Sequence, residues 1–270
     1  MLYTNPMWWE YFIFGESQWY LWRLAGAEIS VCREEETWHG FCRSLRWEKR
    51  DTSCTGPLQE IPSVQTALQT NVIKIKTAAL RPFLPEKPFL ISLGGIKLYP
   101  GMKTTLKLEI PPQLRLIAEK SAGSAPKHIF SFVPFMVKET WCGKNSMDGY
   151  LCSSLPVNIN GKTAGVADDK NAQENVLCPL SVHCNMTIRN RTKSVLELKT
   201  IPLYASGLSV YEKGGKLISD APLVDVLENN FHMTVETARN EHSTLLVQGN
   251  KSDLRFINQG TRIIKNIAGL

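Results

Sequence analysis

Cys178, His183 and Cys184 stand close together, with Cys142 and Cys152 upstream, and thiolate and imidazole are the groups from which zinc sites are built. Zinc knuckles pair ligands two to four residues apart, so that one turn presents both. The intervals here are wider, nine residues between Cys142 and Cys152 and five between Cys178 and Cys184. In a strand over Ser181 to Ile188, Val182 and Cys184 share one face and His183 points to the other. The thiols are therefore expected to be buried apolar groups, and no metal is expected. Gly161-Lys162-Thr163 echoes the end of a phosphate-binding loop. That loop needs a glycine where this chain has Pro156 and a helix where it has Ala164-Gly165-Val166. The G-x-S-x-G, H-E-x-x-H and G-x-G-x-x-G patterns are absent, and histidines 39, 128, 183, 232 and 242 are scattered. No catalytic residue and no cofactor is expected. A hydrolase using Cys142, Cys152 or His183 in an unrecognised site is the remaining catalytic alternative.

Charge gives the other lead. The net charge of +6 is unevenly spread: residues 1–70 hold six basic and nine acidic groups, 71–160 twelve and five, and 161–270 thirteen and eleven. Within the basic middle, Lys74 and Lys76 alternate with Ile73 and Ile75. Lys103, Thr105, Lys107 and Glu109 likewise alternate with Thr104, Leu106, Leu108 and Ile110. A period of two means half-buried strands with one apolar and one basic face. Lys74, Lys76, Lys103 and Lys107 are the candidate binding residues. A one-signed face attracts phosphates and other polyanions, although lysine also serves to solvate and guard strands.

The elements that position these residues read as strands almost throughout. Six of the seven tryptophans fall in the first fifty residues, in β-prone runs over Trp8 to Phe14 and Trp19 to Leu24. Gly15-Glu16-Ser17 reads as a hairpin between them, Glu34-Glu35-Glu36 as a charged tip, and Phe41 to Trp47 as a fourth strand. These aromatics are expected in a core, with a sugar-stacking platform as the alternative. Residues 50–70 read as a connection. From Asn71 to Ala118 the order is strand, proline crossover at Pro82, Pro85 and Pro88, strand, turn, strand, turn, strand. Pro100-Gly101 there forms a type II turn. Asn160-Gly161 and Gly214-Gly215 signal hairpins. Short runs between Ser181 and Ile257, separated by Asn, Gly and Asp, have sandwich spacing.

The expected fold is mainly β: an antiparallel β-sandwich architecture, one large or two packed β domains, with little helix. The expected organisation is a Trp-rich meander and connection over 1–70 packed on a central sheet over 71–166, then a sandwich-like region over 176–270. No apolar run reaches the ~18 residues of a membrane helix. The start lacks a basic, apolar leader. Seven irregularly spaced cysteines fit reduced thiols in the cytoplasm. Three glycosylation patterns, at Asn185, Asn190 and Asn250, are expected to be chance matches.

Four segments, LRPFLPEKPFLISL, YPGMKTTLKLEIPPQLRLIA, CGKNSMDGYLC and TIRNRTKSVLELKTIPLYASGLSVY, together resemble the uncharacterised family called domain of unknown function four-thirty-two, found mostly in archaea and anaerobic bacteria. The resemblance runs from about Trp8 to Val235. It implies a stand-alone, mainly β protein without assigned activity, and it transfers no site residue. The functional expectation is a non-catalytic, cytoplasmic binding module that meets an unknown protein partner, or a second copy of itself through sheet edges. The alternative is a carbohydrate- or polyanion-binding module using the basic face or the N-terminal aromatics.

Overall fold

The computed structural model describes residues 7–24, 27–44, 53–58, 69–86, 89–120, 125–132, 139–140, 150–151, 157–159, 162–164, 181–228, 231–238 and 241–250. Strands β1 to β22, numbered in chain order, make the fold mainly β, as expected. Among the described residues, helix is limited to a 3-10 turn at Ala205–Gly207. The chain divides into two compact units, the first from 1–83, 111–136 and 178–180, the second from 84–110, 137–177 and 181–270.

The first unit holds two sheets. β1 (Tyr11–Ile13), β7 (Thr77–Phe83), β10 (Gln113–Ala118) and β11 (Lys127–Phe132) form one. The other has the order β5-β2-β3-β4-β6, from β2 (Trp19–Leu24), β3 (Ala27–Glu34), β4 (Thr37–Ser44), β5 (Ser53–Leu58) and β6 (Gln69–Val72). Their facing sides carry the core. Ala78, Leu80, Leu114, Leu116, Phe130 and Phe132 on one side meet Trp22, Ile29, Val31 and Trp38 on the other, all buried. Phe14 lies against Tyr20 and Trp38, with ring centroids at 4.3 and 4.8 Å. Gly40 has a close-packing reason: a Cβ there would sit 2.7 Å from the Phe130 ring.

Two expectations for this region are corrected. Gly15 to Ser17 is not a hairpin, because β1 pairs with β7 while β2 pairs with β3 and β5. The segment crosses between sheets, Phe14 N–H bonding Lys76 O and Ser17 N–H bonding Arg33 O, and this leaves Phe14 inside. Residues 50–70 are not only a connection. β2 has apolar residues on both faces and takes a partner on each edge, and β5 supplies one. As the outermost strand β5 tolerates Gly56 and Pro57. The Glu34–Glu36 tip holds: Glu34 opposes Thr37, and Glu35 takes φ 52°.

In the second unit, β8 (Phe89–Leu98) pairs with β17 (Leu196–Leu203) and, in parallel, with β13 (Tyr150–Leu151), which pairs with β12 (Glu139–Thr140). The larger sheet centres on β16 (Val182–Asn190), antiparallel to β9 (Lys103–Ile110) along eight residue pairs. On the other side β16 runs parallel first to β19 (Lys216–Ser219) and then to β20 (Ala221–Val226). The sheet is completed by the hairpin of β14 (Val157–Ile159) and β15 (Lys162–Ala164), by β18 (Val210–Lys213) and β22 (Thr244–Val247), and by β21 (Phe231–Glu236). The hairpins expected around Asn160-Gly161 and Gly214-Gly215 are present, the second with φ of 58° and 78°.

The turn at Pro100-Gly101 is also as expected. Met102 N–H reaches Tyr99 O at 3.1 Å, and Gly101 has φ 77°. The strands it joins do not pair, however. β7 and β10 pair with each other in the first unit, while β8 and β9 lie in different sheets of the second. The stretch from Asn71 to Ala118 is thus not one central sheet. Local turn chemistry fixes where a strand ends but not which strand it then meets.

Candidate anion-binding face

On β7 the alternation leaves Arg81 and Phe83 half-buried on the outward side while Ala78, Leu80 and Pro82 face the core. On β10, Gln113 and Arg115 face outward and Leu114, Leu116 and Ala118 inward. Pairing of the two strands sets Arg81 opposite Arg115, and pairing with β11 sets Arg115 opposite Ser131. Two guanidiniums therefore leave neighbouring strands about 4.8 Å apart. Like charges directly opposite are unfavourable, and aromatic rings brace both. The Arg81 guanidinium carbon lies 4.6 Å from the Tyr11 ring centroid, and that of Arg115 lies 4.5 Å from Phe83. Such stacking covers the flat face of a guanidinium and fixes the direction of its rim of N–H donors, of which Arg115 Nη2 donates to Gln113 Oε1 at 3.4 Å and Arg81 hydrogen-bonds Tyr11.

The surroundings tune this face. Tyr11 OH donates to Glu119, and burial together with that carboxylate raises the phenol above its ordinary range. His128 Nε2 lies 2.8 Å from Ser131 Oγ. Burial, then the charge of Arg115, hold this imidazole below its usual pKa. His128 and Ser131 thus bring a base and a hydroxyl together beside a cation, and the charge next to them would attract an anion.

The four lysines fall in both units. Lys74 and Lys76 are exposed in the run between β6 and β7, while Ile73 and Ile75 are half-buried, as the alternation implied. Lys74 Nζ lies 3.1 Å from Glu36 Oε1, an exposed pair worth at most about 1 kcal/mol. Lys103 and Lys107 are exposed on β9, with Leu106, Leu108 and Ile110 buried behind them. Lys103 opposes Arg189, and Lys107 opposes Asn185 and Asn158. Arg189 is claimed by Asp225, at 2.5 and 2.6 Å. The Arg189 hydrogen bonds, with help from Arg191, hold the Asp225 carboxyl below its ordinary range. Glu109 also stands 4.0 Å from His183, so this second face carries both signs of charge.

Val182 and Cys184 are buried and His183 exposed, as strand alternation required. Cys184 Sγ faces Asp220 O at 3.8 Å, and burial pushes the thiol up to about 12. Cys32 and Cys42 are pushed up to about 11, chiefly by burial. All three are free thiols. Asp220, at the break between β19 and β20, has a structural task. Its carboxylate accepts the N–H of Ser209 at 2.9 Å and of Ala238 at 3.1 Å, where β18 and β21 diverge from that long strand. Among the described residues no three His, Cys, Asp or Glu side chains gather as a metal site. Cys142, Cys152 and Cys178 lie outside them.

The paired arginines were not among the sequence candidates. Their signal is a single cation inside each apolar run, Leu80-Arg81-Pro82 and Leu114-Arg115-Leu116. What joins them is register across a gap of more than thirty residues.

The sequence pattern of a family described as "Protein of unknown function (DUF432)" matches residues 8–257. No curated protein and no solved structure matches.

Proposed function

The chain belongs to the DUF432 family, whose description assigns no activity, and we propose that it is a non-catalytic binding module for an anionic partner. The observation that carries this is Arg81 standing opposite Arg115 on an outward sheet face, each guanidinium stacked on an aromatic ring. Holding long cationic side chains in place before binding lowers the ordering cost of taking an anion. Lys74, Lys76, Lys103 and Lys107 are auxiliary cations that raise attraction at longer range. The raised thiol pKa values of Cys32, Cys42 and Cys184 support inert, structural cysteines, and the irregular spacing of the seven cysteines favours reduced thiols in a cytoplasm. Burial of Trp8, Trp9, Trp22 and Trp38 favours the arginine face over a sugar-stacking platform made by these aromatics. Among the described residues, no helix is long and apolar enough to cross a membrane.

The test is retention on immobilised heparin under a salt gradient. The natural protein should bind and elute at higher salt than Arg81→Gln or Arg115→Gln, since each lost contact to a polyanion weakens binding and its salt dependence. Elution of both variants with the natural protein refutes the assignment. So does loss of retention only in a Lys103→Gln/Lys107→Gln variant.

A further inference from the structure

Four large apolar side chains stand in solvent at one end of the second unit: Tyr99 at 58 %, Met102 at 53 %, Val195 at 48 % and Leu227 at 37 % exposure. They come from three separate parts of the sequence, and Asn190 ties their bases together. Its N–H donates to Met102 O, its carbonyl accepts from Gly101 N–H, and its side-chain amide donates to Leu98 O and Ser194 O. One residue on, Arg191 N–H reaches Val226 O. Turn tips ordinarily carry polar residues; the turn Tyr99–Met102 is apolar at both ends. Because Asn190 is fully buried with both ends of its amide engaged, the tips are presented on a fixed base and need little ordering on contact.

Cations surround them. Lys97, Lys103, Arg191 and Lys193 are all exposed and lie within four residues of an apolar tip. Among the described residues the carboxylates at this end are Glu197, which stands across from Lys97 in the strand register, Asp225, held by Arg189 and Arg191, and Glu228, which accepts the Lys193 N–H. Counting Arg189, five cations meet three carboxylates, so the margin is positive, as is the whole chain at +6.

We propose that this end of the second unit docks on an anionic lipid membrane, lying on the surface without crossing it. Tyr99, Met102, Val195 and Leu227 enter the boundary between headgroups and acyl chains, while Lys97, Lys103, Arg191 and Lys193 meet the headgroup phosphates and carboxylates. Tyrosine favours that boundary. A bilayer accepts apolar tips without a matching pocket.

The test is co-sedimentation with extruded vesicles, of phosphatidylcholine alone and of phosphatidylcholine mixed with phosphatidylserine. The natural protein should sediment with the mixed vesicles only and be released by high salt. Tyr99→Ser/Met102→Ser and Lys103→Gln/Lys193→Gln should each lower the partition about tenfold, with circular dichroism and elution volume unchanged. Absence of sedimentation overturns the proposal, as does binding that neither variant alters. Loss of binding through Arg81→Gln and Arg115→Gln, with the tip variants unaffected, overturns it too. A natural dimer that Tyr99→Ser/Met102→Ser turns into monomers assigns the patch to a second copy instead.

Discussion

Replacing Asn190 is the sharpest test of how the second unit is held together. Its Nδ2 donates to Leu98 O and Ser194 O, and its Oδ1 accepts from the Thr192 N–H and hydroxyl, all at 2.8 Å. At about 1 kcal/mol net for each bond, with groups stranded out of water costing more, Asn190→Ala should lower stability by roughly 3–4 kcal/mol. Asn190→Asp keeps the size and both acceptor roles but turns the two donations into carboxylate-to-carbonyl repulsion. At pH 7 it should cost at least as much as alanine. Burial and the two carbonyls raise the pKa of the new carboxyl in the folded state. The folded form then holds its proton where the unfolded form has lost it. The aspartate penalty is therefore smallest below about pH 4 and grows as pH rises through that value toward the folded pKa. Guanidinium unfolding followed by far-UV circular dichroism reads the loss, and faster amide exchange at Gly101 and Arg191 localises it. An Asn190→Asp protein within about 1 kcal/mol of the natural one at pH 7 refutes the reasoning, since a loss that small cannot come from four buried bonds.

The other predictions concern backbone, protons and thiols. Gly101→Ala meets no atom within 4 Å but keeps φ 77°, so it should cost only backbone strain, about 1–2 kcal/mol. Gly249→Ala puts a Cβ 2.5 Å from the Gly207 carbonyl oxygen, against backbone that cannot rotate away, and should cost more in the same unfolding assay. His128 is held below its ordinary pKa when folded, so the unfolded chain takes up the proton first. Its contribution is complete above about pH 6.5 and declines as pH falls below that value, and His128→Gln should flatten that part of the pH–stability curve. Asp225, lowered by Arg189, contributes above its unfolded pKa and loses that contribution as pH falls through the folded one; Asp225→Asn should remove this acid-side step. Cys32, Cys42 and Cys184 should resist a thiol reagent at pH 7 until the protein unfolds, as peptide mapping would show, because thiols raised to about 11 or 12 hold almost no thiolate there.

Asn190 also shows how far a motif alone can mislead. Asn190-Arg191-Thr192 matches a glycosylation acceptor pattern, yet in the fold the asparagine amide is buried and accepts a hydrogen bond from the hydroxyl of the pattern's own threonine. The tripeptide is a turn lock. Nothing local separates it from Asn185-Met186-Thr187, whose asparagine is exposed.

The sequence by itself determined where most strands lie, which side of an alternating strand is wet, and the turns at Pro100-Gly101 and Gly214-Gly215, but not β5 or the crossing at Gly15 to Ser17. Lys103 to Ile110 alternates as its letters require, and Gly101 and the Gly214-Gly215 pair take the positive φ that glycine permits. These properties depend on one residue and its near neighbours, through sterics and a two-residue period. Only the tertiary structure decided which strands meet: β7 with β10 and β8 with β17, Phe14 inside the core, Arg81 opposite Arg115, and the turns that carry Tyr99, Val195 and Leu227 tied together through Asn190 and Arg191. An outward arginine looks the same in any strand. It becomes part of a site only when pairing, driven by the joint burial of Leu80, Leu114, Leu116 and Phe130 on the opposite side, fixes what stands across from it.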